Sequence, residues 1–147
     1  MRLQRATAAD SKGVFAWAND PVTRANSAST DPIPWESHSE WFAAKLADPN
    51  CSIFIVSDGD EPVGVVRFDV AGDEAEISVN LAPEARGRGI GSLAIRVACA
   101  EVPDETVVAY IREENTASQK AFAAAGFTPD GRRVVRGVDM LRFVNAP

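Results

Sequence analysis

The chain has 147 residues, 46% of them hydrophobic, and a formal net charge of −6. That length and apolar fraction suit one domain, spanning residues 1–147, with a sizeable core. The negative balance excludes a general nucleic-acid surface, because phosphate backbones reward dense Lys and Arg; an anionic ligand would need a local basic pocket instead.

No apolar run approaches the length that crosses a bilayer. Met1-Arg2-Leu3-Gln4-Arg5 leads into small and polar residues rather than an apolar signal region, so a cytoplasmic protein with no membrane partner is expected. Cys51 and Cys99 are far apart in sequence and have only His38 as a possible nitrogen companion. That set is too small for zinc, so no metal is expected and both thiols read as small buried side chains.

Leu3 sits in a short strand-like start, and Thr7-Ala8-Ala9-Asp10 reads as a capping box with Asp in place of Glu. The helix it opens carries Ser11, Val14, Phe15 and Ala18 at helical spacing, with Trp17 off that stripe, and stops at Asn19-Asp20-Pro21. Residues 22–34 turn to Ser, Thr, Asn, Ala and Pro, the composition of a surface loop that either carries binding groups or merely connects. Ser37-His38-Ser39-Glu40 offers a second capping box, followed by Trp41, Phe42, Lys45 and Leu46 until Asp48-Pro49 ends the helix.

Cys51 to Val56 and Pro62 to Val70 form a hairpin around Asp58-Gly59-Asp60, and Ala71-Gly72-Asp73 turns the chain into a strand over residues 76–81. There Ile77, Val79 and Leu81 share one face, and Glu76, Ser78 and Asn80 the other. A helix with Ile90, Leu93, Ala94, Val97 and Ala98 on its inner stripe follows, and Thr106 to Ile111 is a short strand buried on both faces. The three make a βαβ unit. Asn115 caps a further helix to Ala125, with Gly126 behind it; Pro129-Asp130-Gly131 reads as a turn, and residues 132–144 as a closing antiparallel pair around Gly137.

The informative stretch is Arg86-Gly87-Arg88-Gly89-Ile90-Gly91-Ser92, between strand and helix. Glycines at alternate positions remove Cβ atoms, so successive amides can converge on one anion at a helix N-terminus, and Arg86 and Arg88 add charge. The same glycines could serve turn geometry alone. A dinucleotide-binding loop is a second reading, but its third glycine would fall at Ser92 and too few βα units remain for such a sheet.

Taken together, these features resemble the GNAT acetyltransferases. Arg86-Gly87-Arg88-Gly89-Ile90-Gly91 is similar to that family's R/Q-x-x-G-x-G/A loop, and Asn115-x-x-Ser118-x-x-x-Phe122 followed by Gly126-Phe127 to its second coenzyme A motif. The resemblance covers essentially the whole chain. It implies an α/β (α+β) fold: a mixed, mostly antiparallel twisted sheet of six to seven strands, a central βαβ unit and about four helices. It also implies acetyl-CoA as cosubstrate, held beside Val79, Asn80 and Leu81 where two strands splay, with Gly87 to Ser92 on its pyrophosphate and Asn115, Ser118 and Phe122 along its arm. Asn115 equally reads as a plain helix cap.

The reaction so implied is direct acetyl transfer to a primary amine of a small molecule. Glu76 is the candidate base, though a strand Glu can also simply be solvated. Phe122 stands where many members have a proton-donating Tyr, so Tyr110 becomes the candidate proton relay or acceptor-site wall, with packing as its ordinary role. Trp17-Ala18-Asn19-Asp20-Pro21-x-x-Arg24 and Ser37-His38-x-x-Trp41-Phe42 are similar to members that acetylate nucleotide-linked amino sugars. In that case Trp17, Arg24, His38 and Trp41 shape the acceptor pocket; core packing for Trp41 and a surface position for His38 are the alternatives. A peptide acetyltransferase and an acyl-CoA-binding sensor without turnover stay open, as do a monomer and a homodimer.

Overall fold

The computed structural model describes all 147 residues. The apolar runs of residues 51–81, separated by turn residues, become three successive antiparallel strands, β2 (Cys51–Asp58), β3 (Glu61–Ala71) and β4 (Glu74–Leu81), with β1 (Arg2–Arg5) on the edge. The run Thr106–Ile111, β5, joins β4 in parallel, and a hairpin of β6 (Thr128–Val135) and β7 (Val138–Asn145) completes the sheet. Strand order is β1-β2-β3-β4-β5-β7-β6, seven strands in all, antiparallel except at β4/β5.

Five helices cover the two faces: α1 (Ser11–Ala18), α2 (Pro21–Asn26), α3 (Trp35–Ala47), α4 (Ile90–Cys99) and α5 (Thr116–Ala124). The β4–α4–β5 connection is the expected βαβ unit. Alternation along the strands gives each face its own core. Phe68, Ile77, Val107 and Ala109 meet Ala94, Ile95 and Phe122 of α4 and α5 in the larger one. On the opposite face Ile53, Ile55 and Val65 meet Val14 of α1 and Phe42 of α3.

Four local expectations are corrected. Leu93 and Val97, read on the inner stripe of α4, are exposed, and Ile95 faces the core with Ile90, Ala94 and Ala98 instead. Residues 22–34 do not form a loop throughout, because Asp20 and Pro21 start α2 as well as stopping α1. The Asp20 carboxylate accepts from the amides of Val22 (3.1 Å) and Thr23 (3.2 Å), and proline at the first helical position needs no donor. The capping box at Ser37 is not made: α3 begins at Trp35, behind Pro34, so Ser37 and His38 already lie inside it. Pro129-Asp130-Gly131 is a bulge within β6 rather than a turn, where the register against β7 shifts and Gly131 adopts φ 78°. The other cap is formed as read, with the Asp10 carboxylate accepting from the Thr7 amide at 2.8 Å.

Candidate active site

The sheet is split at its centre. Strands β4 and β5 pair only at Glu74↔Thr106, Ala75↔Val107 and Glu76↔Val108, while β4 stays paired with β3 to its last residue, Leu81↔Gly64. Gly64 lets the end of β4 lean toward β3: a Cβ there would stand 2.6 Å from Leu81 Cδ2 and 2.8 Å from the Asn80 carbonyl oxygen. A cleft of about 1050 Å³ fills the gap, with Val79, Asn80 and Leu81 on its β4 wall and Ala109, Tyr110 and Ile111 on its β5 wall. Loss of the neighbouring strand leaves Val79 and Leu81 only partly buried, although Ile77 on the same face is 4% exposed.

At one end of the cleft lies the glycine turn. Gly87 and Gly89 have φ of 73° and 76°, the left-handed region that favours glycine, and Gly89 is the N-cap of α4 without a side chain to satisfy its amides. Leu93 is the first to return its N–H to the turn, to Gly89 O at 3.3 Å; the amides from Gly87 to Ser92 donate to no backbone carbonyl. A Cβ placed at Gly87 or Gly89 would meet nothing within 4 Å. Unpaired donors at the positive end of a helix, with open space before them, suit an anion.

The side chains beside those amides are engaged elsewhere. Arg86 reaches Asp20 (2.7 Å), Thr23 Oγ1 (3.1 Å) and Leu81 O (3.2 Å), and its hydrogen bond holds the Asp20 carboxyl below its ordinary range. Arg88 pairs with Asp58 at 2.7 Å and does not line the cleft, and Ile90 is buried in the core. Gly91 and Ser92 line it. Across from them Asn115 caps α5, its Oδ1 accepting from Ser118 N–H (3.2 Å) and its Nδ2 donating to Ser118 Oγ (3.0 Å). Phe122 packs edge-on against Phe127 with centroids 5.0 Å apart and borders the cleft with carbon alone.

On the other face, Glu76 has no ion pair and no side-chain hydrogen bond, whereas its carboxylate neighbours are held. Asp69, across the β3/β4 pair, binds Lys45 (2.8 Å) and Arg67 (2.7 Å); burial opposes its charge, and the two cations nonetheless keep its pKa low. Glu74 binds Arg142 at 2.9 Å, which lowers its pKa. Glu76 pairs with Val108, two places before Tyr110, so the two candidates share a face. The Tyr110 hydroxyl accepts from Arg133 (2.8 Å) and Arg142 (3.0 Å), which leaves its own proton for another acceptor.

The predicted acceptor residues divide. Trp41, 36% exposed, lines the cleft with the Arg67 guanidinium 4.9 Å from its ring. His38 borders the cleft but is 2% exposed and stacked on Phe42, with Nε2 3.0 Å from Ser11 O, a contact that requires the Nε2–H tautomer. Burial lowers its pKa, so it is a neutral donor at neutral pH. Arg24 donates to Ala18 O (2.7 Å), Ser29 O (3.1 Å), Asp31 O (3.3 Å) and Ser27 Oγ (3.1 Å) from the cleft wall. Trp17 is not brought to the cleft; it packs between the two cores against Gly13. Arg67, Arg136 and Met140 line the cleft without having been singled out. Arg67 had a signal, a lone cation within the apolar run 63–68; the other two arrive only through the folding back of β7.

The family profile of the Acetyltransferase (GNAT) domain matches residues 1–128. The chain belongs to the GNAT acetyltransferase family. This GNAT domain is 32% identical over 93 residues to an uncharacterised N-acetyltransferase, YfmK, of Bacillus subtilis (strain 168), a match covering 60% of the chain and 62% of YfmK. Its fold matches aminoglycoside acetyltransferase AAC(6')-Ib in complex with ribostamycin and coenzyme A (TM-score 0.87, 16% identity, 98% of this chain and 92% of that one). It also matches spermidine N-acetyltransferase from Vibrio cholerae with coenzyme A and spermine (0.86, 18%, 98% and 94%). A third match is ribosomal-protein-alanine N-acetyltransferase from Brucella melitensis (0.81, 23%, 100% and 100%). No helix of this GNAT domain is long and apolar enough to cross a membrane, and no three or more His, Cys, Asp or Glu side chains are grouped so that they could hold a metal ion.

Proposed function

We propose that this protein transfers an acetyl group from acetyl-CoA directly to a primary amine of a small molecule. The observation that carries the reading is the split between β4 and β5, which ends beside the unpaired amides of Gly87 to Ser92. The free edge of β4 from Ile77 to Leu81 offers backbone groups to an extended amide-bearing arm, as an added strand would. The glycine turn offers donors to a pyrophosphate, and Asn115 and Ser118 flank the path between them. These groups fit acetyl-CoA, which supplies the activated acyl thioester.

Glu76, the cleft's unpaired carboxylate, takes the proton from the acceptor amine; such a base contributes typically ~10²–10⁴-fold. Tyr110, whose oxygen is occupied by two guanidinium donors, directs its proton into the cleft and relays it where Phe122 has none to give. Holding amine and thioester together in a cleft removes much of the remaining barrier by positioning.

The finer reading is an acceptor that also carries negative charge, specifically a nucleotide-linked amino sugar. Among the side chains lining the cleft Glu76 is the lone carboxylate, against Arg24, Arg67, Arg86, Lys120 and Arg136. Arg136 has no carboxylate partner and would face a diphosphate, and Trp41 presents a partly exposed ring to a sugar or base. A polycation such as spermine meets few anions here. Thioester cleavage should therefore be measured with a nucleotide-linked amino sugar, an alanine-starting peptide and spermidine. Fastest turnover with the first is expected; equal or faster turnover with either other acceptor would refute the finer reading. Acetyl-CoA at ~100 Kd should raise the unfolding free energy by about 2.7 kcal/mol, and no stabilisation at all would refute the whole assignment.

A further inference from the structure

The segment from Asn19 to Ile33 is a strap closed on itself. Asn19 and Ile33 exchange two hydrogen bonds at its base, Asn19 Nδ2 donating to Ile33 O (2.9 Å) and Ile33 N–H to Asn19 Oδ1 (2.8 Å). Arg24 gathers its interior, donating to carbonyls of Ser29 and Asp31, and ties it to the end of α1 through the Ala18 carbonyl. Its helix, α2, contains no buried residue. Polar bonds rather than a core hold it, which places it at the low end of local stability.

Two arginines fasten this strap from outside, one at the head of the glycine-turn motif and one just ahead of the motif that begins at Asn115. Arg86, at the head of the glycine turn, binds Asp20 and Thr23 while also holding Leu81 O at the end of β4. Arg112, three residues before Asn115, donates to Ser27 O (2.8 Å) and Ala28 O (3.4 Å). Between the two anchors Val22, Asn26, Ser27 and Ala28 form part of the cleft wall.

We propose that Arg86 and Arg112 are positioning residues for the acceptor: they hold the strap Asn19–Ile33 as a wall of the acceptor half and couple it to the elements that hold acetyl-CoA. The inference rests on the acetyltransferase reading of the cleft. Neither guanidinium needs to touch the acceptor. An unfastened strap leaves only a fraction of molecules with a formed wall, and apparent acceptor affinity falls by that fraction.

The test uses the full chain with Arg112→Met, which keeps the stem and removes the donors, and Asp20→Asn, which keeps a helix cap and removes the charge opposite Arg86. Each should raise acceptor KM about tenfold, the scale of a lost charge-assisted hydrogen bond, with kcat and acetyl-CoA Kd within about threefold. Arg112→Lys should recover part of the loss, and Arg132→Gln, which removes ion pairs to Glu113 and Asp139, should leave KM unchanged. Tryptic cleavage after Arg24, measured without ligand, should accelerate in both anchor variants. Unchanged acceptor KM in both, or a fall in kcat without a rise in KM, would overturn the positioning role. Unchanged cleavage in both would overturn the fastening itself. Failure of the wild-type chain to bind acetyl-CoA would instead overturn the reading of the cleft, with the cleavage rates still judging the strap.

Discussion

Glu76→Gln is the substitution that isolates the proposed base. The side chain is partly exposed on β4 and has neither an ion pair nor a hydrogen bond, so the amide leaves no partner behind and creates no cavity. Its neighbours Asp69 and Glu74 keep their own cations. Stability should therefore change by no more than about 0.5 kcal/mol in urea or thermal unfolding. The proton acceptor, by contrast, is gone, and kcat should fall ~10²–10⁴-fold, equivalent to about 2.7–5.5 kcal/mol in the barrier. Acetyl-CoA affinity, set at the glycine turn and the β4 edge, should stay within about threefold by calorimetry. The assay is release of free thiol from acetyl-CoA at saturating amine, followed from acidic to alkaline pH, since a variant without the base should regain ground as the free amine deprotonates unaided. A Glu76→Gln enzyme with kcat within about threefold of wild type at neutral pH would refute the assignment, whatever its stability.

Three further outcomes are expected. Gly89→Ala places a side chain at φ 76°, which should cost about 1–2 kcal/mol of stability and weaken acetyl-CoA binding at the adjacent amides; unchanged affinity by calorimetry would count against the cradle. Gly64→Val forces Cβ against Leu81 and Asn80 at contacts of 2.6 and 2.8 Å, so an unfolding loss of about 1–3 kcal/mol is expected, with acetyl-CoA binding weakened because β4 must shift toward the cleft; a fully stable variant would refute the close approach. For His38, burial depresses the folded pKa below the unfolded 6.5, so between the two values the unfolded chain binds more protons and stability is lost as pH falls below about 6.5. Urea midpoints from pH 8 to 5 should drop more steeply for wild type than for His38→Gln, and parallel curves would refute the sign.

Much of the fold was legible because local chemistry and long-range packing agree. The apolar runs at 51–56, 62–70 and 76–81 are strands, and of the stripe Ile90, Leu93, Ala94, Val97 and Ala98 read after the glycine turn, Ile90, Ala94 and Ala98 meet the core while Leu93 and Val97 face outward. Punctuation was less secure, since the same residues serve several turns. Asp20-Pro21 ends one helix and opens another, and Pro129-Asp130-Gly131 bulges a strand instead of reversing it. At the site, positions with strong local signals, such as Gly89 and Asn115, line one cleft. Arginines carried no such guarantee: a long cationic side chain takes whatever acceptor the fold brings within reach, so Arg86 turns to Asp20, Arg88 to Asp58 and Arg24 to its own segment.

The sequence by itself determined most strand and helix positions, the glycine turn before α4 and the polar face carrying Glu76, because each depends on neighbours within a few residues. Only the tertiary structure decided that β4 and β5 part after Glu76, that Tyr110 meets Arg133 and Arg142, that His38 is buried, and that the strap at Asn19–Ile33 is pinned by Arg86 and Arg112. Those are contacts between residues as much as 85 positions apart, fixed by which faces the sheet presents and which charges remain to be satisfied once the core has closed.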